Sequence, residues 1–178
     1  MFQSSHLITI NSIQTFIVKC HYSLIMDNQD IDAIRLEEYD TKDVRDQHTN
    51  GSLTVVWRDW DNLIKNPQMV YVSSVNPGEI KGPHIHTKRN SYFVCIHGKV
   101  LFVIKNEKGE YVERISTADD PVLIIIPKNT ASAHLNLSKG ISKVLALADV
   151  AWKPNDNEMK NDDFVDYDWN KWTKYNVE

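Results

Sequence analysis

Cysteine is scarce in this chain, with two in 178 residues, which rules out a disulfide-stapled scaffold. Six glycines and six prolines are too few for a collagen-like or low-complexity polymer, and 42% apolar residues are too many for general disorder. Long hydrophobic runs are also missing. The most apolar stretch, Leu7 to Ile25, is broken by Thr9, Asn11, Ser12, Gln14, Thr15, Lys19 and His21, whereas a membrane span needs about 20 apolar residues. It lacks the basic start and small-residue cleavage site of a signal peptide. Bases are outnumbered, 20 against 24 acids, for a net charge of −4. No basic stripe is available to neutralise nucleic-acid phosphates. These absences leave a soluble, cytoplasmic, single-core protein with no membrane or nucleic-acid partner as the expectation.

The charge is concentrated at one end. Seven acids and three lysines lie between Pro154 and Glu178, which accounts for the whole net charge. That tail also carries Phe164, Tyr167, Trp169, Trp172 and Tyr175, unlike a disordered acidic tail, which is poor in aromatics. The spacing predicts a short docked helix around Asp168 to Tyr175, with Asp168 as its cap. Three regions follow: residues 1–25 as an apolar leader, either an extra edge strand or a stretch upstream of a start at Met26; a core domain over 26–150; and an acidic aromatic segment over 151–178 that packs on it.

The middle of the chain is a series of short β-branched and aromatic runs: Ala33 to Leu36, Leu53 to Trp57, Met69 to Val75, Tyr92 to Ile96, Val100 to Lys105, Tyr111 to Ile115, Val122 to Ile126, Ala133 to Leu137 and Val144 to Ala148. Turn chemistries such as Asn76-Pro77-Gly78, His97-Gly98 and Lys139-Gly140 separate them. A recurrence of about ten residues predicts an all-β sandwich or barrel. One short helix is expected at Asp61 to Lys65.

The strongest chemical signal is Gly78-Glu79-Ile80-Lys81-Gly82-Pro83-His84-Ile85-His86. On a strand, His84 and His86 leave the same face, as an acid–base pair or a metal chelate requires. The glycine, five residues, His-x-His, and then six residues between Ser91 and Gly98 resemble the first motif of the cupin family. Pro127-Lys128-Asn129-Thr130-Ala131-Ser132-Ala133-His134-Leu135-Asn136 resembles the second in the spacing of its proline and asparagine. This resemblance implies a cupin barrel, that is, a double-stranded β-helix or jelly roll, with the short C-terminal helix appended. Ser91 and Ser132 stand where a metal-binding cupin has its glutamate and third histidine. A metal-dependent site built from His84, His86 and His134 is the alternative, as is a noncatalytic sugar-binding cupin.

A cupin that keeps Gly-x-His-x-His but not the other ligands resembles the metal-independent branch acting on nucleotide sugars. Within it, the chain is similar to dTDP-4-dehydrorhamnose 3,5-epimerases and dTDP-4-keto-6-deoxyhexose 3,4-ketoisomerases, through Gly51 to Val55, Lys81-Gly82, Phe93 to Gly98, Ile125 to Lys128 and Asp149. The similarity implies a homodimer, no cofactor, a nucleotide-sugar substrate and a positive group at Lys81 for its phosphate. The epimerases carry lysine where this chain has Ser91 and tyrosine where it has Leu145. The ketoisomerases use both histidines of the pair, before a strand like Val94-Cys95-Ile96.

A 4-keto sugar has acidified C–H bonds beside its carbonyl, and a base that moves such protons should titrate near neutrality, as histidine does at about 6.5. His84 is expected to remove the proton and His86 to donate or relay one. Epimerisation also needs an acid on the opposite ring face, for which Tyr71, Tyr92 and His134 are candidates. Asp149 is the candidate for orienting a histidine, and Lys81, Tyr71, Ser91, Tyr92, His134 and Asp149 together make up the expected substrate-binding set. Lys88-Arg89 reads as a solvated turn, with phosphate contact as its alternative. Trp57, Trp60 and Tyr71 suit either base stacking or packing.

Overall fold

The computed structural model describes residues 33–61, 63, 64 and 66–176, so the leader at 1–25 lies outside the described residues. Twelve strands appear among them: β1 (Ala33–Arg35), β2 (Glu37–Lys42), β3 (Thr49–Val55), β4 (Met69–Val75), β5 (Ile80–His86), β6 (Ser91–His97), β7 (Lys99–Lys105), β8 (Tyr111–Thr117), β9 (Val122–Ile126), β10 (Ala131–Asn136), β11 (Ser142–Ala148) and β12 (Met159–Asn161). They form one five-stranded sheet of order β1-β9-β6-β11-β4, a second of order β12-β5-β10-β7-β8, and the separate hairpin β2-β3. Every pairing is antiparallel. The expected all-β jelly roll is what these residues build. Each of the nine runs overlaps a strand, with Leu36, Val56, Trp57 and Leu137 falling just past the strand ends, while β2, β5 and β12 go beyond the runs because their residues are too polar to stand out.

The two sheets share a core of Phe93, Cys95, Val100, Phe102, Ile104, Val122, Ile124, Val144 and Ala146. Both sheets are also covered on their outer faces. Val56, Trp57, Leu63 and Ile64 lie over the first, burying Ile34, Tyr92, Val94, Leu123 and Leu147. The C-terminal segment lies over the second, burying Leu101, Val103, Ala133 and Leu135 beneath Phe164 and Tyr167. Burial on both faces explains why Val100 to Ile104 is unbroken hydrophobic sequence rather than alternating apolar and polar.

The acidic tail is therefore part of the barrel wall and not an appendage. Tyr111 meets the rings of Phe164 and Tyr167 at 5.0 Å each. The Tyr167 hydroxyl donates to Glu113 at 2.6 Å and accepts from Trp172 Nε1 at 2.8 Å. The expected short helix is a 3-10 helix, Trp169–Asn176. The helix expected at Asp61 to Lys65 is instead a single 3-10 turn, Asp59–Asp61. Arg58 closes it, accepting from the Asp61 amide and pairing with its carboxylate at 2.8 Å. Trp57 and Trp60 flank this turn. Trp57 donates to the Ile64 carbonyl at 3.1 Å, a packing role, while Trp60 is largely exposed.

Candidate active site

The register of β5 on β10 sets the site. His84 pairs with Ser132 and Lys81 with His134, so β5 spends three residues where β10 spends two. This extra residue is a bulge at Gly82-Pro83. Proline is tolerated there because a bulge leaves one ladder position unpaired. Gly82 is at φ +95°, and a Cβ on it would sit 2.7 Å from the Ser132 carbonyl oxygen, so a glycine is required. Strict alternation would turn Lys81 away from the histidines. The bulge reverses that parity, and Lys81, His84 and His86 line one cleft of about 170 Å³.

Tyr71 reaches this cleft from β4 on the facing sheet, and His134 and Arg89 complete its polar wall. Lys81 Nζ is held by the Ser73 hydroxyl at 2.7 Å and the Ser74 carbonyl at 3.4 Å. The edge strand β12 and the residue entering it support both histidines. Asn161, directly opposite His84 in register, places Oδ1 3.2 Å from His84 Nδ1. Glu158 is 3% exposed and places both carboxylate oxygens 3.0 and 3.1 Å from His86 Nδ1. Both contacts suit an Nδ1–H donor, which leaves each Nε2 as the basic nitrogen.

Arg89 sits against the second of these. Its Nη2 is 3.2 Å from His86 Nε2 and 3.5 Å from Glu158. Burial depresses the His86 pKa below its ordinary value, and the guanidinium adds to this while Glu158 opposes it. Burial pushes His134 down to about 4, with Lys81 and His84 contributing. His134 lies against the Phe102 and Phe93 rings at 5.6 and 6.1 Å, and its Nε2 is buried without a partner. Burial raises the Tyr71 phenol, so it stays protonated at neutral pH.

The structure brings together Lys81, His84, His86, His134 and Tyr71, and does not bring in three other expected residues. Tyr92 points to the outer face of its sheet, among Ile34, Leu123 and Leu147, because Phe93 takes the inner face. Ser91 is 2% exposed and forms no part of the cleft wall. Asp149 accepts from the Asn90 backbone at 2.8 Å and side chain at 2.6 Å, fixing the turn after β5. The acid that meets a histidine of the pair is Glu158, 72 residues along the chain from His86, and no local pattern marks it. Arg89 is likewise not a solvated turn residue, being 7% exposed between His86 and Glu158. Lys88 does face solvent and donates to the Asp156 carbonyl at 3.0 Å.

The donor set does not suit a chelate of His84, His86 and His134. Both ring nitrogens of His86 already face partners, one of them a cation. Among the described residues, the three candidate ligands that converge within 4.8 Å are Asp43, Asp46 and His48, at the β2–β3 turn. Also among them, no helix is long and apolar enough to cross a membrane.

A jelly roll that presents His-x-His into a cation-lined cleft, with His84 Nδ1 facing Asn161 on β12 and His86 Nδ1 facing Glu158 just before it, has the cupin fold. Residues 30–169 match the FdtA family, described as WxcM-like, C-terminal, and the chain belongs to that family. It is 24% identical over 150 residues to the spore coat polysaccharide biosynthesis protein SpsL of Bacillus subtilis (strain 168), covering 79% of this chain and 97% of that one. Among solved structures, it is similar to dTDP-4-dehydrorhamnose 3,5-epimerase from Sulfolobus tokodaii, with TM-score 0.69 and 17% identity over 83% of this chain and 85% of that one. The sugar 3,4-ketoisomerase QdtA from Thermoanaerobacterium thermosaccharolyticum, solved with TDP, matches with TM-score 0.60 and 16% identity over 81% and 92% of the two chains. These are the two kinds of protein that the motifs resemble.

Proposed function

We propose that this protein is a nucleotide-sugar isomerase that moves a proton beside the ketone of a 4-keto-6-deoxyhexose nucleotide. The observation that carries this reading is the His84 geometry, an imidazole with Nδ1 against Asn161 and Nε2 left for the cleft. In this account His84 takes the C3 proton and the electron pair passes to the C4 oxygen. A proton returned to C4 and one gained by the C4 oxygen, together with loss of the C3 hydroxyl proton, yield the 3-keto isomer. Lys81 attracts the diphosphate as a point charge at the cleft wall. The two histidines share one strand face, which suits proton traffic between adjacent carbons on one side of a ring.

Tyr71 favours a second reading. It enters from the facing sheet with its phenol protonated, where an acid for the opposite ring face is needed, as in a 3,5-epimerase. Turnover of a 4-keto-6-deoxyhexose nucleotide in heavy water separates the two. Ketone migration with deuterium at C4 supports the isomerase, and deuterium at C3 and C5 with an unmoved ketone supports the epimerase. No exchange with dTDP-, UDP-, GDP- or CDP-linked sugars would refute both.

A homodimer fits this reading, supported by Val70 and Val72 on the edge strand β4, which are 58% and 53% exposed. Light scattering at micromolar concentration checks it, and a mass of 20.6 kDa would contradict it. The cytoplasm is the proposed location, supported by the low cysteine content and by Cys95 being a buried free thiol.

A further inference from the structure

Arg89 is a permanent cation, buried at the cleft wall, whose Nη2 faces a ring nitrogen and whose Nε and Nη1 have no hydrogen-bond partner. A guanidinium has donors only. The nitrogen it meets, His86 Nε2, must therefore present a lone pair, and the ring proton must sit on Nδ1, where Glu158 accepts it. We infer that Arg89 is a positioning residue that locks His86 as the neutral, Nδ1-protonated tautomer and makes it an acceptor of protons, not a donor. This divides the labour of the pair. His84 keeps an Nε2 free of protein partners, whereas a substrate hydrogen reaches the His86 lone pair only in exchange for the Arg89 N–H.

The groups that face His86 are consistent with this arrangement, with Lys81 on its own strand and His134 on β10 lining the same cleft. His84 shares its strand, Arg89 comes from the turn after β5, Glu158 from the segment entering β12, and Tyr71 from β4 across the cleft. Burial and the Arg89 guanidinium disfavour an imidazolium, and one carboxylate favours it. The carboxylate holds Nδ1 and the guanidinium holds Nε2, so the two opposite charges select one tautomer. The consequence for proton traffic rests on the proposed function; the tautomer does not.

The test is therefore made without substrate. In nitrogen-15 NMR of the full chain, with His86 assigned by comparison with a His86→Gln variant, wild type is expected to show a neutral ring with a protonated Nδ1 at pH 7. In Arg89→Met, the removal of one positive neighbour should raise the midpoint at which His86 becomes charged by at least about one pH unit. Arg89→Lys, which keeps the charge without the planar fork, should retain a low midpoint and serves if the methionine variant does not fold. A charged or Nε2-protonated His86 in wild type at pH 7 would overturn the inference, as would an unchanged midpoint in folded Arg89→Met. With a 4-keto nucleotide sugar, the acid limb of the exchange-rate profile should move with the NMR midpoint. A complete lack of exchange alongside the expected tautomer would refute the proposed function and leave the role of Arg89 standing.

Discussion

His134 provides a pH-dependent term in stability whose size follows from its surroundings. Its folded pKa of about 4, against an ordinary 6.5, reflects burial beside Phe93 and Phe102 with Lys81 and His84 nearby. Between those two values the unfolded chain binds a proton that the folded one refuses, so stability falls as pH falls. The contribution is intact above about pH 6.5 and is lost progressively down to about pH 4. Linkage gives a loss of roughly 2 kcal/mol between pH 7 and pH 4.5 from this residue alone. Replacing His134 by Phe keeps an aromatic ring in the aromatic pocket and removes the titration. Urea unfolding of both proteins at the two pH values, compared as a difference of differences, cancels the other groups. Wild type should lose roughly 2 kcal/mol more than His134→Phe on acidification. Equal losses, or a larger loss in the variant, would refute the placement of a neutral imidazole there.

Three further outcomes follow from other parts of the structure. Phe164→Ala removes a 5%-exposed ring from the cover of the second sheet, so urea unfolding at pH 7 should show a loss of about 3–4 kcal/mol; a loss under about 1 kcal/mol would mean the segment is not packed there. Gly82→Ala puts a methyl against the Ser132 carbonyl at a left-handed φ and should cost about 2 kcal/mol in the same assay. Unchanged stability would contradict the bulge. Lys81→Ala should raise KM for the nucleotide sugar about tenfold with little change in kcat, as expected of a group that binds a remote phosphate; a fall in kcat alone would contradict that role.

What the sequence revealed and what it hid divide along physical lines. His84 and His86 were legible because a spacing of two places them on one strand face whatever the rest of the fold. The strand runs were legible because burial on both faces makes them continuous. The same double burial hid which of Tyr92 and Phe93 faces inward, since both faces are apolar. Lys81 was expected beside the phosphate from the resemblance alone, because its orientation comes from a bulge that no pattern of alternation encodes. Arg89 and Glu158 stayed hidden for a different reason. Each looks like an ordinary surface charge in its own segment, and they are buried against His86 only after β12 docks on β5.

The central claim is that His84 is a base acting beside a ketone, and deuterium uptake from heavy water measures it directly. Wild type should place deuterium next to the carbonyl of a 4-keto-6-deoxyhexose nucleotide, and a folded His84→Ala should do so at least about a hundredfold more slowly. Exchange at an undiminished rate in His84→Ala, in protein shown by circular dichroism to keep its β structure, would contradict the account.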